Sequence, residues 1–243
     1  VNTLNIVLLA RTKGEAPLND GEYPEYLSEC DGQPLIQSLI DNCASLDPGK
    51  ILCMFPNSEI ASLHLRNMVQ QMHPAARVLP VHDATRGAAC TALLATEHID
   101  NDEELLILST SDVLDIALSQ VVRTFRDNGD DAGIVIFKSL HPRYSFARLD
   151  DAGRVVEVAE KNPISPHAIA GMYWFKSGST FVSAAKDMIR KDARVNNRFF
   201  ISPSLNELVL QHKKIGAYRI EPTQYRPLKT HSQVQAFETG VVR

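Results

Sequence analysis

The sequence predicts an α/β fold with a mixed, mostly parallel sheet flanked by helices. Three observations carry this. Short apolar runs at 4–10, 51–55 and 105–108 lack polar alternation and read as strands buried on both faces. Segments with apolar residues at helical spacing separate them, which is the βαβ arrangement of a parallel sheet. Past residue 130 the order changes to closely spaced strands with a hairpin signal, so the second half of the sheet is expected to be mixed.

The first strand, 4–10, runs into a long polar loop at 11–29, a length that is usually functional inside a compact domain. Pro34 opens a helix with Leu35, Leu39, Ile40 and Cys43 on one face. After the strand at 51–55, Asn57 or Ser58 caps a helix reaching about Met72, with Ile60, Leu63 and Met68 inward. A strand at 77–81 and a turn at Thr85 lead to an apolar helix from Cys90 to Ala95, then to the strand at 105–108. A helix at 117–126 and a strand at 134–137 follow. Strands at 144–149 and 155–158 are joined by Asp150-Asp151-Ala152-Gly153, with glycine where a positive φ is needed. Next come a strand at 169–175, helices at 180–190 and from Pro203 (capped by Ser202), a strand at 215–220 and a short C-terminal helix. Without repeats, low-complexity segments or a linker, residues 1–243 are expected to form a single domain.

At 243 residues, 44% hydrophobic and 22% charged, the chain has the composition of a globular protein. A net charge of −4 argues against nucleic acid as a partner. No apolar run approaches membrane-spanning length and no signal-peptide pattern opens the sequence, so no membrane and a cytoplasmic location are expected. Cys30, Cys43, Cys53 and Cys90 show no CxxC spacing and read as reduced thiols. The apolar C-terminal segments leave a homo-oligomer open.

Chemistry concentrates between Asp83 and Asp112. The turn Thr85-Arg86-Gly87-Ala88-Ala89 has the small residues that let a nucleobase approach backbone, or that simply pack a tight helix start. Ser109-Thr110-Ser111-Asp112 ends an apolar strand, and ligands of open α/β sheets bind at strand carboxyl ends. Asp112 is therefore expected to hold Mg²⁺ on a bound phosphate, against the simpler role of a helix cap. Glu160-Lys161 pairs an acceptor for sugar hydroxyls with a cation for a phosphate, or is an exposed ion pair. Gly171 marks close ligand approach or a bulge. His141-Pro142-Arg143-Tyr144-Ser145-Phe146-Ala147 suits the wall of a sugar pocket or a packed corner, and Asn196-Asn197-Arg198-Phe199-Phe200 with Asn206-Glu207 has the same two readings. GxGxxG after the first strand, GxxxxGK[ST], HExxH and GxSxG are all absent.

Taken together and in order, these segments resemble the sugar-1-phosphate nucleotidyltransferases, or nucleoside-diphosphate-sugar pyrophosphorylases. Gly32-Gln33-Pro34-Leu35-Ile36 is similar to the family's G-x-P-[LM]-[IV], and Gly171-Met172-Tyr173-Trp174-Phe175 to its G-[IV]-Y-x-F. The resemblance implies a GT-A-like (Rossmann-like) fold. It implies an NTP and a sugar phosphate as substrates, Mg²⁺ as cofactor, and attack of the sugar phosphate on the NTP α-phosphate with loss of pyrophosphate. It puts the nucleotide in about residues 1–130, at Ala10, Arg86, Gly87 and Ala88. It puts the sugar phosphate in about 131–243, at Glu160, Lys161, Gly171 and Tyr144. Cell-envelope polysaccharide supply is the context the family suggests.

Two motifs depart from the family. Where its first loop reads about A-G-x-G-[ST]-R and then P-K, Arg11 and Lys13 replace the glycines, Glu15 the arginine and Glu25 the lysine. Arg11 and Lys13 are the cations that would restore charge beside the triphosphate. A single charge pair is worth roughly 4 kcal/mol at about 4 Å and an effective dielectric near 20, so carboxylates there oppose phosphate. The C-terminal G-T-P-E-D-L becomes Lys229-Thr230-His231-Ser232-Gln233-Val234. These changes keep a non-catalytic binder of nucleotide-sugar or sugar phosphate as the alternative. A GT-A glycosyltransferase comes third, because Ser109-Thr110-Ser111-Asp112 lacks an Asp-x-Asp pair.

Overall fold

A computed structural model describes residues 3–12, 23–30 and 32–239. In chain order the elements begin with β1 (Leu4–Leu9), the two-residue strands β2 (Glu29–Cys30) and β3 (Gln33–Pro34), α1 (Leu35–Ala44), β4 (Lys50–Pro56), α2 (Asn57–Ser62), α3 (Leu65–Met72) and β5 (Ala76–Val81). Then come α4 (Ala88–Leu93), α5 (Thr96–Ile99), β6 (Glu104–Ser109), β7 (Asp112–Leu114), α6 (Leu118–Asp127), β8 (Ala132–Lys138), β9 (Ser145–Leu149), β10 (Val155–Glu160) and β11 (His167–Phe175). The chain continues through α7 (Gly178–Arg190), α8 (Ser204–Leu210), β12 (Ile215–Arg219), β13 (Tyr225–Pro227) and α9 (His231–Glu238).

Strands β5, β4, β1 and β6 lie side by side and all parallel, as the βαβ alternation predicts. Antiparallel β11 then joins β6, with β8 on its far side and parallel β12 beyond. The hairpin β9–β10 adds to the first half of β11. The expected mixed, mostly parallel sheet is present. Residues of β1 alternate between its two faces: Leu4, Ile6 and Leu8 pack with α1, α3 and α6, while Val7 and Leu9 pack with α4, α5 and α7. Both faces are thus covered, which explains the unbroken apolar strands.

Local corrections have physical reasons. The helix expected from Asn57 to Met72 is two helices, broken where His64 takes a left-handed conformation at φ 52°. Asn57 and Ser58 make no side-chain cap; Asp83 Oδ1 accepts from Ser58 N instead, at 3.1 Å. Ser202 does not cap α8, whose N-cap is Pro203 with no side-chain bond. Cys43 and Cys53 are free and buried, and burial pushes both thiols up, Cys53 to about 12. Among the described residues no helix is long and apolar enough to cross a membrane.

One buried carboxylate ties three elements together at the base of the sheet. Glu104, at the start of β6, accepts from Arg126 of α6 through Nε at 3.0 Å and Nη2 at 2.7 Å, and from Trp174 Nε1 of β11 at 3.2 Å. Replacing Glu104 by Ala leaves the indole N–H and the guanidinium without their acceptor. The expected cost is about 2–3 kcal/mol, read as a lower urea midpoint at unchanged m-value.

Candidate active site

At the carboxyl ends of β1 and β6 lies a cavity of about 370 Å³. Both strands stop there because the chain turns polar: Ala10-Arg11-Thr12 after β1, and Ser109-Thr110-Ser111 after β6. Parallel strands leave such a crevice where their following loops diverge. Among the described residues five cationic side chains line it, Arg11, Arg143, Lys161, Arg198 and Lys229, against two carboxylates, Asp112 and Glu160. In a chain of net charge −4, this concentrates positive potential in one place.

Asp112 is buried at the start of β7, a short strand that pairs antiparallel with β13. Its Oδ1 accepts from Tyr225 Oη at 2.5 Å and lies 3.0 Å from Lys229 Nζ. Burial first, then Asp112, pushes the Tyr225 phenol well above its ordinary value, so it stays protonated and donates. The other carboxylate oxygen faces Gly171, where an added Cβ would come within 2.3 Å of Oδ2. Gly171 sits at φ 71° in the irregular middle of β11, where the ladder to β8 shifts register between Ile169 and Tyr173. It is both a bulge and a close approach, and what approaches it is Asp112.

Glu160 ends β10. Its Oε2 accepts from Ser145 Oγ and, at 2.7 Å, from Ser202 Oγ. The Tyr173 hydroxyl lies against the same two serines, and burial first, then the nearby carboxylates, pushes this phenol up, so it stays protonated. Ser202 is thus used on the site rather than on α8. Lys161 follows at φ 56° with its ammonium 5.0 Å from the centre of the Phe200 ring. Tyr144 forms the aromatic wall with Phe137 and Tyr225.

Of the residues singled out from sequence, Ala10, Arg11, Ala88, Asp112, Tyr144, Glu160, Lys161 and Gly171 all line this cavity. Arg86 and Gly87 do not. Gly87 has φ 112°, and a Cβ there would meet the Phe199 backbone oxygen at 2.5 Å; its smallness serves packing against 199 rather than a base. Lys13 and Glu15 lie outside the described residues. Glu25 is buried, only 3% exposed, and is not among the lining residues. Sequence reasoning missed Tyr225, and it saw Lys229 only as an altered motif.

The expectation of Mg²⁺ on Asp112 meets a donor set that does not fit a resident divalent ion. The ammonium of Lys229 already stands against Oδ1. The residue opposite Asp112 across the β7–β13 ladder is Pro227, which offers no side-chain donor. Among the described residues no cluster of three acidic, His or Cys side chains could hold a metal.

A family model described as nucleotidyl transferase matches residues 15–219. No curated protein matches the sequence. Among solved structures, the nucleoside-diphosphate-sugar pyrophosphorylase of Vibrio cholerae RC9 is similar over 96% of this chain and 99% of its own, with 20% identity and a TM-score of 0.79. A UDP-glucose pyrophosphorylase complexed with UDP-glucose is similar over 99% of this chain and 98% of its own, at 13% identity and a TM-score of 0.78. These likenesses establish the fold.

Replacing Gly171 by Ala would force the buried carboxylate of Asp112 aside as well as strain the backbone. The expected loss is about 2–4 kcal/mol in urea unfolding, against about 1 kcal/mol for Gly153→Ala. Gly153 has a similar φ of 78° with open space beside it. Equal losses at the two positions would show that Asp112 does not hold Gly171.

Proposed function

The chain belongs to the nucleotidyl transferase family, and from that premise we propose that it joins an NTP to a sugar phosphate, releasing pyrophosphate and a nucleotide-sugar. The observation that carries this reading is the cavity: five cations gathered at the carboxyl ends of β1 and β6 in an acidic chain. A cluster of this sign favours a strongly anionic ligand.

In this reading residues 1–130 contribute the nucleotide side of the site, through Ala10, Arg11 and Ala88. Residues 131–243 contribute the sugar-phosphate side, through Tyr144, Glu160, Lys161 and Gly171. Glu160, its free acceptor capacity aimed by Ser145 and Ser202, takes sugar hydroxyl hydrogen bonds. Lys161 and Arg143 hold the incoming phosphate. Arg11 and Arg198 lie along the triphosphate.

The reaction forms a bond from a sugar-phosphate oxygen to the α-phosphorus and breaks the bond from that phosphorus to the β-bridging oxygen. The nucleophile is already an anion, so no side chain has to remove a proton. Negative charge moves onto the departing pyrophosphate, and fixed cations oppose it without reorganising. Family members generally use a divalent metal. Because the donor set around Asp112 does not suit a resident one, no step here is assigned to Mg²⁺.

The test pairs ATP, CTP, GTP and UTP with a panel of sugar 1-phosphates and follows pyrophosphate release. One pair is expected to turn over, and Arg198→Ala is expected to lower kcat/KM about tenfold or more. An NTP at about 100 times its dissociation constant adds about 2.7 kcal/mol of stability, which thermal melting detects. Stabilisation by an NTP with no release from any pair would favour the non-catalytic binder. If no NTP or nucleotide-sugar raised the melting temperature, the site would not be a nucleotide site.

A further inference from the structure

The one departure in the C-terminal motif that the fold brings into the cavity is Lys229. Its side chain is about one-third exposed, and its ammonium is 3.0 Å from Asp112 Oδ1. The backbone around it is fixed on several sides. Leu228 N donates to Ser111 O at 2.8 Å, and Lys229 N donates to Gln233 Oε1 at 2.9 Å. Arg11 Nη1 reaches Lys229 O at 3.4 Å. Gln233 also accepts from Thr230 N, and its own N–H is capped by Thr230 Oγ1, so α9 begins at a defined point just past the lysine. The ammonium is therefore aimed, not merely nearby.

This position is where a cation on Asp112 would have to sit. The carboxylate is buried, its Oδ2 faces Gly171, and its Oδ1 is shared between a phenol and the ammonium. A divalent ion usually draws on one or two carboxylates and then on substrate oxygens. Here Asp112 is already paired with an ammonium, and the residue facing it across the ladder is Pro227, whose side chain supplies no oxygen.

We propose that Lys229 takes the place of a divalent cation on Asp112, so that the site accepts the phosphates of its substrate without bound metal. The inference rests on the reading of the cavity as a nucleotide and sugar-phosphate site. Among the described residues Arg11, Arg143, Lys161 and Arg198 also line the cavity, and Glu160, the other carboxylate of that lining, is held by two serines. An uncomplexed triphosphate or pyrophosphate, with its full negative charge, matches this lining better than its magnesium complex, which brings two positive charges back into a positive site.

The experiment is calorimetric binding of inorganic pyrophosphate and of the four NTPs to the full chain, in EDTA and in millimolar Mg²⁺. Three proteins are compared: the unmodified chain, Lys229→Gln and Lys229→Arg. The unmodified chain should bind equally well or better in EDTA. Lys229→Gln should lose about tenfold or more in EDTA and regain part of it with Mg²⁺, because the vacated Asp112 oxygen becomes a metal ligand. Lys229→Arg should behave like the unmodified chain. Binding by the unmodified chain that vanished in EDTA would overturn the proposal and leave the nucleotide reading intact. So would a Lys229→Gln protein, melting normally, whose affinity in EDTA was unchanged. If pyrophosphate and all four NTPs failed to bind under either condition, the nucleotide reading itself would fall and this inference with it.

Discussion

The carboxylate of Asp112 is the constraint on which the rest of the site depends. It is held by groups from distant parts of the chain: the Tyr225 phenol 113 positions away, the Lys229 ammonium, and the bare backbone of Gly171. A buried charge of this kind is costly unless it is both paired and hydrogen-bonded. That requirement docks the C-terminal β13 onto β7, because only that pairing delivers the phenol and the ammonium together. It also explains the irregular middle of β11. A regular strand with a side chain at 171 would collide with the carboxylate, so the ladder slips register there and uses glycine at positive φ. Local backbone geometry, tertiary docking and charge pairing are here one problem with one solution.

Electrostatics link this solution to the cavity. Arg11, Arg143, Lys161, Arg198 and Lys229 come from separate segments, after β1, before β9, after β10, between α7 and α8, and between β13 and α9, that converge on one cavity. Internal contacts manage part of their repulsion: Lys161 lies over Phe200, Arg143 stacks toward Tyr144 and bonds His141, and Lys229 pairs with Asp112. The ring contacts orient Lys161 and Arg143 without cancelling them, while Asp112 offsets Lys229. The hydroxyl network of Ser145, Ser202 and Tyr173 does the converse for Glu160, fixing a carboxylate as an acceptor among cations. A polar group fixed on both sides in this way needs little reorganisation when a charged ligand arrives.

Much of the fold was legible in the sequence, for identifiable reasons. Strands β1, β4, β5 and β6 are apolar on both faces and separated by helical spacing, a pattern with few alternatives. The β9–β10 hairpin announced itself through Asp150 and Gly153, and Asp150 does accept from the backbone of Ala152 and Arg154. What could not be read were features lacking local periodicity. Strands β7 and β13 have three residues each, and β13 ends in a proline, so neither shows a periodicity that could be read locally. The break at His64 is a single left-handed residue inside an otherwise helical pattern. Gly87 looked like a ligand contact because smallness alone cannot say what approaches; here it is the backbone of Phe199. Ser202 sat where helix caps sit, and only the tertiary fold shows its hydroxyl turned to Glu160. Tyr225 carried no signal at all, since nothing in its neighbours distinguishes a site phenol from a core one.

The altered loop and the altered C-terminal motif are best understood together. A carboxylate at position 25 looks hostile to a triphosphate when the chain is read as a line, because it stands where a cation resembling the family's would be. In the fold, Glu25 is buried beside Tyr26 and is not among the residues that line the cavity. Positive charge has meanwhile entered the cavity from two other places, Arg11 at the end of β1 and Lys229 before α9, and the two segments touch where the Arg11 guanidinium reaches the Lys229 carbonyl. The electrostatic requirement of binding phosphate depends on where charges lie in space, and not on which sequence position supplies them. A chain that moved its cations from one loop to another segment would keep the requirement satisfied while losing the motif. The contact between the Arg11 guanidinium and the Lys229 carbonyl, at 3.4 Å, brings the two altered segments together at one edge of the cavity.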